Sequence, residues 1–204
     1  MKKIMFNDRY GLTKAVLEGR KTMTRRIIPQ KLVDYCDNTM EILLKNGVYP
    51  SVAEVVDWYA VRSPYKIGEV ISVAQCYADV HNAEHNYELQ YALDNFILSH
   101  HKPKSKKLQD VSGWNNKMFV KAELMPHQIK IKNIKVEHLR YITNADILKE
   151  GIIRTNDGFT FVGNTRGEFL TDRCCFNAFI DRICGKGTWL ANPLVWVYEF
   201  ELIR

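Results

Sequence analysis

The sequence predicts an α+β fold in which a small mixed or antiparallel β-barrel carries flanking helices and two helical insertions. Three observations favour this class. The β-prone segments are short and few helices separate them, and the strand alternation slips at Asn133, as it does at a β-bulge. The final apolar segment, residues 194–202, has apolar residues on both faces before it turns polar, which is typical of a central strand that emerges into solvent.

The composition is that of one globular domain. The 204 residues suffice for one hydrophobic core, and apolar and charged fractions of 46% and 25% argue against disorder. We therefore expect a single domain over 1–204, with insertions at about 30–63 and 77–116. The apolar runs are too short to cross a bilayer and no signal-like segment develops, so a cytoplasmic location without membrane attachment is expected.

The cysteines and histidines predict no metal or cofactor. Five cysteines form an odd set without a C-x-x-C pair, which argues against a disulfide framework and a zinc ribbon. His81 and His85 are spaced like a helical metal pair, but a third ligand is not evident nearby, and solvated helix histidines are the favoured interpretation.

Residue spacing and capping signals define the elements of the first half. Leu12, Ala15 and Val16 share one helical face, and Gly19 is a typical helix stop. In the first insertion, Ser51 followed by Glu54 predicts a capping box. The predicted strands of this half are 2–7, 22–28 and 70–74, and the predicted helices lie at 10–19, within 30–63 and around 88–97.

The second half alternates strands with two short helices. Ile129 and Ile131 share one face, whereas Ile134 and Val136 carry the apolar side after the slip, so a bulge at Asn133 keeps both halves facing the core. The remaining elements are strands at 118–124, 128–137 and 194–202, helices at 145–148 and 176–183, and a loop or hairpin at 154–168.

The most informative segment, residues 19–26, reads Gly-Arg-Lys-Thr-Met-Thr-Arg-Arg and lies where the first helix gives way to the second strand. If Met23 points into the core, strand alternation directs Thr22 and Thr24 to the opposite face. Lys21 can then lean towards Thr24. A lysine beside a threonine hydroxyl is a plausible nucleophile and base when burial or neighbouring cations lower the lysine pKa.

The basic residues of this segment admit two interpretations. Arg25 and Arg26 can provide the field that lowers the pKa of Lys21, or they can grip a phosphate or carboxylate. A solvated basic turn is the alternative, because cations are common where helices end. A second basic tract, residues 100–107, could touch phosphates, but a solvated loop is favoured because no aromatic residue interleaves it.

These elements, in this order, resemble the ASCH domain of the PUA-like superfamily of small β-barrels. Residues 19–26 are similar to the family signature G-R-K-T-x-T-x-R, and residues 66–71 are similar to the K-x-G-D/E motif that starts a strand. Residues 134–151 match a strand followed by a short helix that ends in Glu-Gly, and residues 197–200 fit the last strand. These matches cover about half of the chain, and the form with two insertions resembles phage- and prophage-associated members.

The resemblance implies a chemistry. Small ASCH proteins include amidohydrolases that remove the acetyl group from N-acetylated cytidine, and their catalytic Lys, Thr and Glu fall on Lys21, Thr24 and Glu150. Thr24 would attack the amide carbonyl, Lys21 would act as general base, and Glu150 would position Lys21 or shuttle a proton. This set needs no metal.

The resemblance also implies a substrate-binding set and leaves other functions open. Arg26 could orient the nucleoside or stabilise the oxyanion, and Arg20, Thr22 and Arg25 complete the expected set. A non-catalytic RNA- or nucleotide-binding module is the second hypothesis. A phage accessory protein whose insertions bind a protein partner is the third.

Overall fold

The computed structural model describes residues 1–85, 87–102 and 107–203, and it confirms the mixed α+β class. Five strands form one mixed sheet, a separate hairpin has two strands, and the described residues include eight α-helices. The strands are β1 (Lys3–Ile4), β2 (Met23–Ile27), β3 (Val70–Val73), β4 (Gln128–His138), β5 (Ile153–Arg154), β6 (Phe159–Thr160) and β7 (Leu194–Ile203). The helices are α1 (Leu12–Leu17), α2 (Gln30–Lys45), α3 (Val52–Val61), α4 (Tyr77–Ala83), α5 (Tyr87–His101), α6 (Asn144–Lys149), α7 (Asp172–Cys184) and α8 (Thr188–Ala191).

The main sheet is built on the two longest strands, β4 and β7. The strand order is β1-β3-β4-β7-β2; β1 pairs with β3 in parallel and the other pairs are antiparallel. Strand β7 is central, as predicted, and Trp196 and Tyr198 are buried. Within the described residues the edge strands β1 and β2 do not pair with each other. The sheet is therefore open, and closure into a barrel is not confirmed.

The bulge expected at Asn133 is present. Ile131 pairs with Phe200, whereas Asn133 pairs with the adjacent Glu199, so one extra residue lies in β4. The bulge lets β4 keep pairing with β7 over its full length while its apolar residues change phase.

The strand predicted at 118–124 is wrong. Two single-turn 3-10 helices, Lys117–Phe119 and Ala122–Leu124, occupy this segment. Val120 and Leu124 of this segment pack with α4 and α5 in a second small core, and the Lys121 N–H donates to the Tyr77 hydroxyl at 2.8 Å. Packing against helices, rather than a sheet ladder, therefore decides the backbone here.

The first insertion is helical, as predicted, and packs against the sheet. The Ser51 hydroxyl accepts from the Glu54 N–H at 3.3 Å, and the Glu54 carboxylate accepts from the Ser51 N–H at 2.7 Å, which completes the predicted capping box of α3. The Trp196 indole donates to the Tyr59 carbonyl at 3.0 Å and ties α3 to the central strand.

The second insertion is also helical, because its described residues include α4, α5 and a short 3-10 helix, Leu108–Asp110. The His81 Nδ1 lies 2.8 Å from Asp94 Oδ1, so this imidazole contacts the facing helix α5. Residues 103–106 of the basic tract lie outside the described residues. None of the helices in the described ranges combines the length and the apolar character that a membrane span requires.

The turn between α1 and β2 is fixed to the C-terminal end of α6. The Lys21 N–H donates to the Ala15 carbonyl at 2.9 Å, and the Thr22 N–H donates to the Lys149 carbonyl at 3.1 Å. Gly151 follows α6 with a φ of +104°, and a Cβ built there lies 3.1 Å from Leu12 Cδ2 and 3.7 Å from Lys21 Cδ. This glycine therefore lets the end of α6 approach the lysine closely.

We predict that Gly151→Ala lowers the free energy of unfolding by about 2–3 kcal/mol, because it adds both backbone strain and a tight contact. Gly19→Ala is the matched control: its φ is +74°, but no atom lies within 4 Å of the added Cβ, so only the strain of about 1 kcal/mol is expected. Urea unfolding of both variants measures the difference, and equal losses would contradict the close approach.

Candidate functional site

A pocket of about 360 Å³ lies beside β2, between the end of α6 and one side of α7. Lys21, Thr24 and Glu150 all line it, although Lys21 and Glu150 are 129 residues apart in the sequence. The predicted catalytic set therefore meets at one concave surface.

Lys21 is the most deeply buried cation of this pocket. Its side chain is 1% exposed, and Nζ donates to the Met23 carbonyl at 2.7 Å, the Glu150 carbonyl at 2.7 Å and Glu150 Oε2 at 2.8 Å. Burial lowers the pKa of Lys21 below its ordinary value of 10.5, and the Glu150 carboxylate opposes that shift. The positive charges of Arg26 and Arg25 lower the pKa further.

Glu150 holds two cations at once. It is the C-cap residue that follows α6, and its side chain is 5% exposed. Oε2 accepts from Lys21, while Oε1 accepts from Arg25 Nη1 at 3.0 Å. Because each oxygen has its own cationic donor, the carboxylate is fixed in orientation.

Arg25 lies in an ion network instead of presenting a free guanidinium. Its side chain is 2% exposed and also contacts Glu137 Oε1 at 2.7 Å and Asp146 Oδ2 at 3.5 Å. The guanidinium thus joins β2 to β4 and α6. The Nε atom of Arg25 is buried and has no hydrogen-bond partner within the described part of the chain.

Thr24 lines the pocket, but in the described part of the chain its hydroxyl forms no hydrogen bond with Lys21. It is buried and pairs with Tyr198 across the sheet, while the neighbouring Met23 is in the core, as expected. Over the described ranges, no hydrogen bond joins the Thr24 hydroxyl to Lys21, whose ammonium donates to Met23 and Glu150. The structure therefore brings the predicted nucleophile and the predicted base to one pocket without a hydrogen bond between them.

The other predicted substrate-binding residues separate into two groups. Arg26 lines the pocket, donates from Nη2 to the Met5 carbonyl at 2.5 Å, and has its guanidinium carbon 5.8 Å from the centre of the Phe6 ring. Arg20 lies on the exposed turn and binds Glu18 at 2.6 Å, and neither Arg20 nor Thr22 lines the pocket.

Sequence reasoning missed the apolar wall of the pocket. Phe6 and Leu12 form one part of it, and Phe179, Ile180 and Ile183 of α7 form the other. The helical spacing of α7 predicts an apolar face, but spacing does not distinguish a residue that faces the core from one that faces a pocket. The partners of Arg25, namely Glu137 and Asp146, also carry no local signal, because they come from distant segments.

One further wall residue, Cys184, ends α7 at the pocket. Cys184 is exposed to solvent, but desolvation by the surrounding protein raises the pKa of its thiol, which makes the sulfur a poorer nucleophile. In the part of the chain that the structure describes, no group of three His, Cys, Asp or Glu side chains has an arrangement that could hold a metal ion.

Comparison of the chain with family models, curated proteins and solved structures finds no match. The likeness to the ASCH domain therefore stays a resemblance that depends on the residues described above.

We predict that Glu150→Gln lowers the free energy of unfolding by about 3–5 kcal/mol, because Lys21 and Arg25 both lose a buried counter-charge. Glu137→Gln is the matched control, since Glu137 is 22% exposed and Arg25 keeps Glu150 and Asp146; a loss below about 1 kcal/mol is expected. Urea unfolding at neutral pH distinguishes the two, and a similar loss in both variants would show that Glu150 is not the central carboxylate.

Proposed function

We propose that the protein hydrolyses the amide bond of an N-acylated nucleoside such as N-acetylated cytidine. Thr24 is the nucleophile, Lys21 the general base and Glu150 the group that positions Lys21. The observation that carries the proposal is the convergence of these three residues on one pocket, with Lys21 held 2.8 Å from Glu150.

The pocket has the size and lining that a nucleoside needs. A volume of about 360 Å³ lies within the range of small-molecule sites. Phe6 and Phe179 offer apolar surface to a planar base, and Arg26 lies on the same wall as Thr24, where a cation can stabilise an oxyanion.

The reaction proceeds by acyl transfer in two halves. The Thr24 hydroxyl attacks the amide carbonyl and its proton passes to Lys21, which returns it to the leaving amine, so cytidine departs and an acyl-threonine ester remains. Water then attacks the ester, Lys21 again moves the proton, and the carboxylic acid is released with Thr24 restored.

This mechanism places a definite requirement on Lys21. Three acceptors surround Nζ, an arrangement that suits an ammonium with three N–H donors. A neutral amine has two donors and a lone pair, so the base form must exchange one acceptor for the Thr24 hydroxyl when substrate binds. Burial and the charges of Arg26 and Arg25 favour that form, because they lower the pKa of Lys21.

The assignment of the fold to the PUA-like barrels is part of the same proposal. We infer that the open sheet is the core of a PUA-like barrel of the ASCH type. The inference is supported by the central β7, the bulged β4 and residues 19–26, which form the turn after α1 and most of β2. A non-catalytic RNA- or nucleotide-binding module is the second candidate, and the net charge of +6 together with Arg26 at the pocket favours it.

We predict that Thr24→Ala abolishes release of cytidine from N-acetylated cytidine, with a loss of at least about a thousandfold, because the nucleophile is removed. Thr22→Ala is the matched control: it alters a threonine of the same segment that does not line the pocket, and it keeps activity within about threefold. Chromatography of the reaction mixtures measures both.

Full activity of Thr24→Ala would eliminate the assigned nucleophile. Absence of turnover by the unaltered protein at high enzyme concentration would instead favour the binding candidate.

We predict that Arg25→Gln moves the acid limb of the pH–rate profile to higher pH. The Arg25 charge lowers the pKa of Lys21, so its removal raises that pKa, and the neutral base then appears only at higher pH. Arg25→Lys keeps the charge and is expected to move the limb less. The profile of kcat/KM against pH measures the shift, and a limb that stays in place or moves to lower pH would contradict this role of Arg25.

A further inference from the structure

A second pocket, of about 460 Å³, lies between α7 and the loop that follows β6. Three cations line it, namely Arg166, Arg182 and Lys186, together with Phe169 and a single carboxylate, Asp181. Neither the sequence patterns nor the proposed hydrolysis assigns a role to this cluster.

The charges that line the second pocket do not balance one another. Throughout the described ranges, none of the three cations has a carboxylate oxygen within ion-pair distance. Asp181 is engaged elsewhere, because its oxygens accept from the Gly187 N–H at 3.0 Å and the Trp189 N–H at 2.9 Å. Those bonds and the nearby charge of Lys186 lower the pKa of Asp181, so the pocket has one carboxylate for three cations.

Hydrogen bonds hold the loop that carries Arg166 in place without a ligand. Asn164 donates to the Thr160 hydroxyl at 3.2 Å and to the Gly167 carbonyl, and its oxygen accepts from the Arg166 N–H at 3.2 Å. Arg182 Nη1 donates to the Gly163 carbonyl at 3.1 Å, which ties α7 to the same loop. Presenting the cations from braced segments reduces the ordering cost of binding.

We propose that this pocket binds a phosphate group. A tetrahedral dianion suits two guanidinium groups and an ammonium, because charge-assisted hydrogen bonds from arginine and lysine are the strongest that a phosphate receives in proteins. A bound phosphate would balance the positive charge that remains because Asp181 is the single carboxylate beside three cations.

The phosphate can come from a mononucleotide or from a nucleic acid strand. Ala178, Asp181 and Arg182 line the phosphate pocket, whereas Phe179, Ile180, Ile183 and Cys184 line the pocket of Lys21. At about 100° per residue these two sets fall on opposite sides of α7, so the helix separates the two pockets. The phosphate pocket is therefore a site in its own right and does not depend on the proposed hydrolysis.

Binding of three cytidine probes tests the proposal without any acyl chemistry. Calorimetry at about 50 mM salt compares cytidine, cytidine 5′-monophosphate and the dinucleotide CpC. We expect the monophosphate to bind at least about tenfold more tightly than cytidine, as expected for charge-assisted bonds to one phosphate. CpC tighter than the monophosphate assigns the phosphate to a strand, and equal or weaker binding assigns it to a mononucleotide.

The double variant Arg166→Gln/Lys186→Gln is expected to reduce the advantage of the monophosphate to below about threefold. Lys31→Gln/Lys130→Gln removes the same total charge at exposed positions away from the pocket and is expected to preserve that advantage. Equal affinity for cytidine and its monophosphate would overturn the proposal, as would equal losses in the two double variants.

The experiments distinguish a failure of the phosphate proposal from a failure of the proposed hydrolysis. The probes carry no acyl group, and deacetylation is measured on a nucleoside that carries no phosphate. A protein that deacetylates N-acetylated cytidine but fails to prefer the monophosphate therefore contradicts the phosphate pocket alone.

Discussion

The buried ion pair between Lys21 and Glu150 is the interaction on which the pocket depends. It joins the turn between α1 and β2 to the end of α6, and both of its members are almost fully enclosed. Removing two charges from water is costly, so the pair is stable only because further polar groups complete it. The Lys21 ammonium also donates hydrogen bonds to two main-chain carbonyls, and the Glu150 carboxylate also accepts one from Arg25. Arg25 in turn donates to Glu137, which extends the network to β4.

This arrangement has opposing effects on the pKa of Lys21, as the proposed role of general base requires. Three acceptors hold a proton on Lys21, while burial and two neighbouring arginines favour its loss. A lysine in water has no such balance and stays protonated at neutral pH. In the proposed mechanism, substrate binding shifts the balance by exchanging one acceptor for the Thr24 hydroxyl, so the same contacts that stabilise the fold set the reactivity of the base.

Local patterns in the sequence predict much of the fold and less of the site. The Ser51–Glu54 capping box and the slip at Asn133 are local signals, and the structure has both. The segment 118–124 has the composition of a strand, yet contacts with distant helices determine its conformation, and sheet closure likewise depends on contacts between distant strands. The convergence of Lys21 and Glu150 could be anticipated only from the resemblance. Glu137 and Asp146, the other partners of Arg25, carry no local signal, because they come from β4 and α6, which meet β2 only in the folded chain.

The proposed role of Lys21 as general base depends most directly on its pKa in the folded protein. Carbon-13 NMR of the lysine ε-methylene, assigned through the loss of its signal in Lys21→Met, measures that pKa without substrate or turnover. We expect a value below the ordinary 10.5 in the unaltered protein, and a still lower value in Glu150→Gln, where the carboxylate that raises the pKa is gone. A Lys21 pKa at or above 10.5 in the unaltered protein would contradict its role as the base.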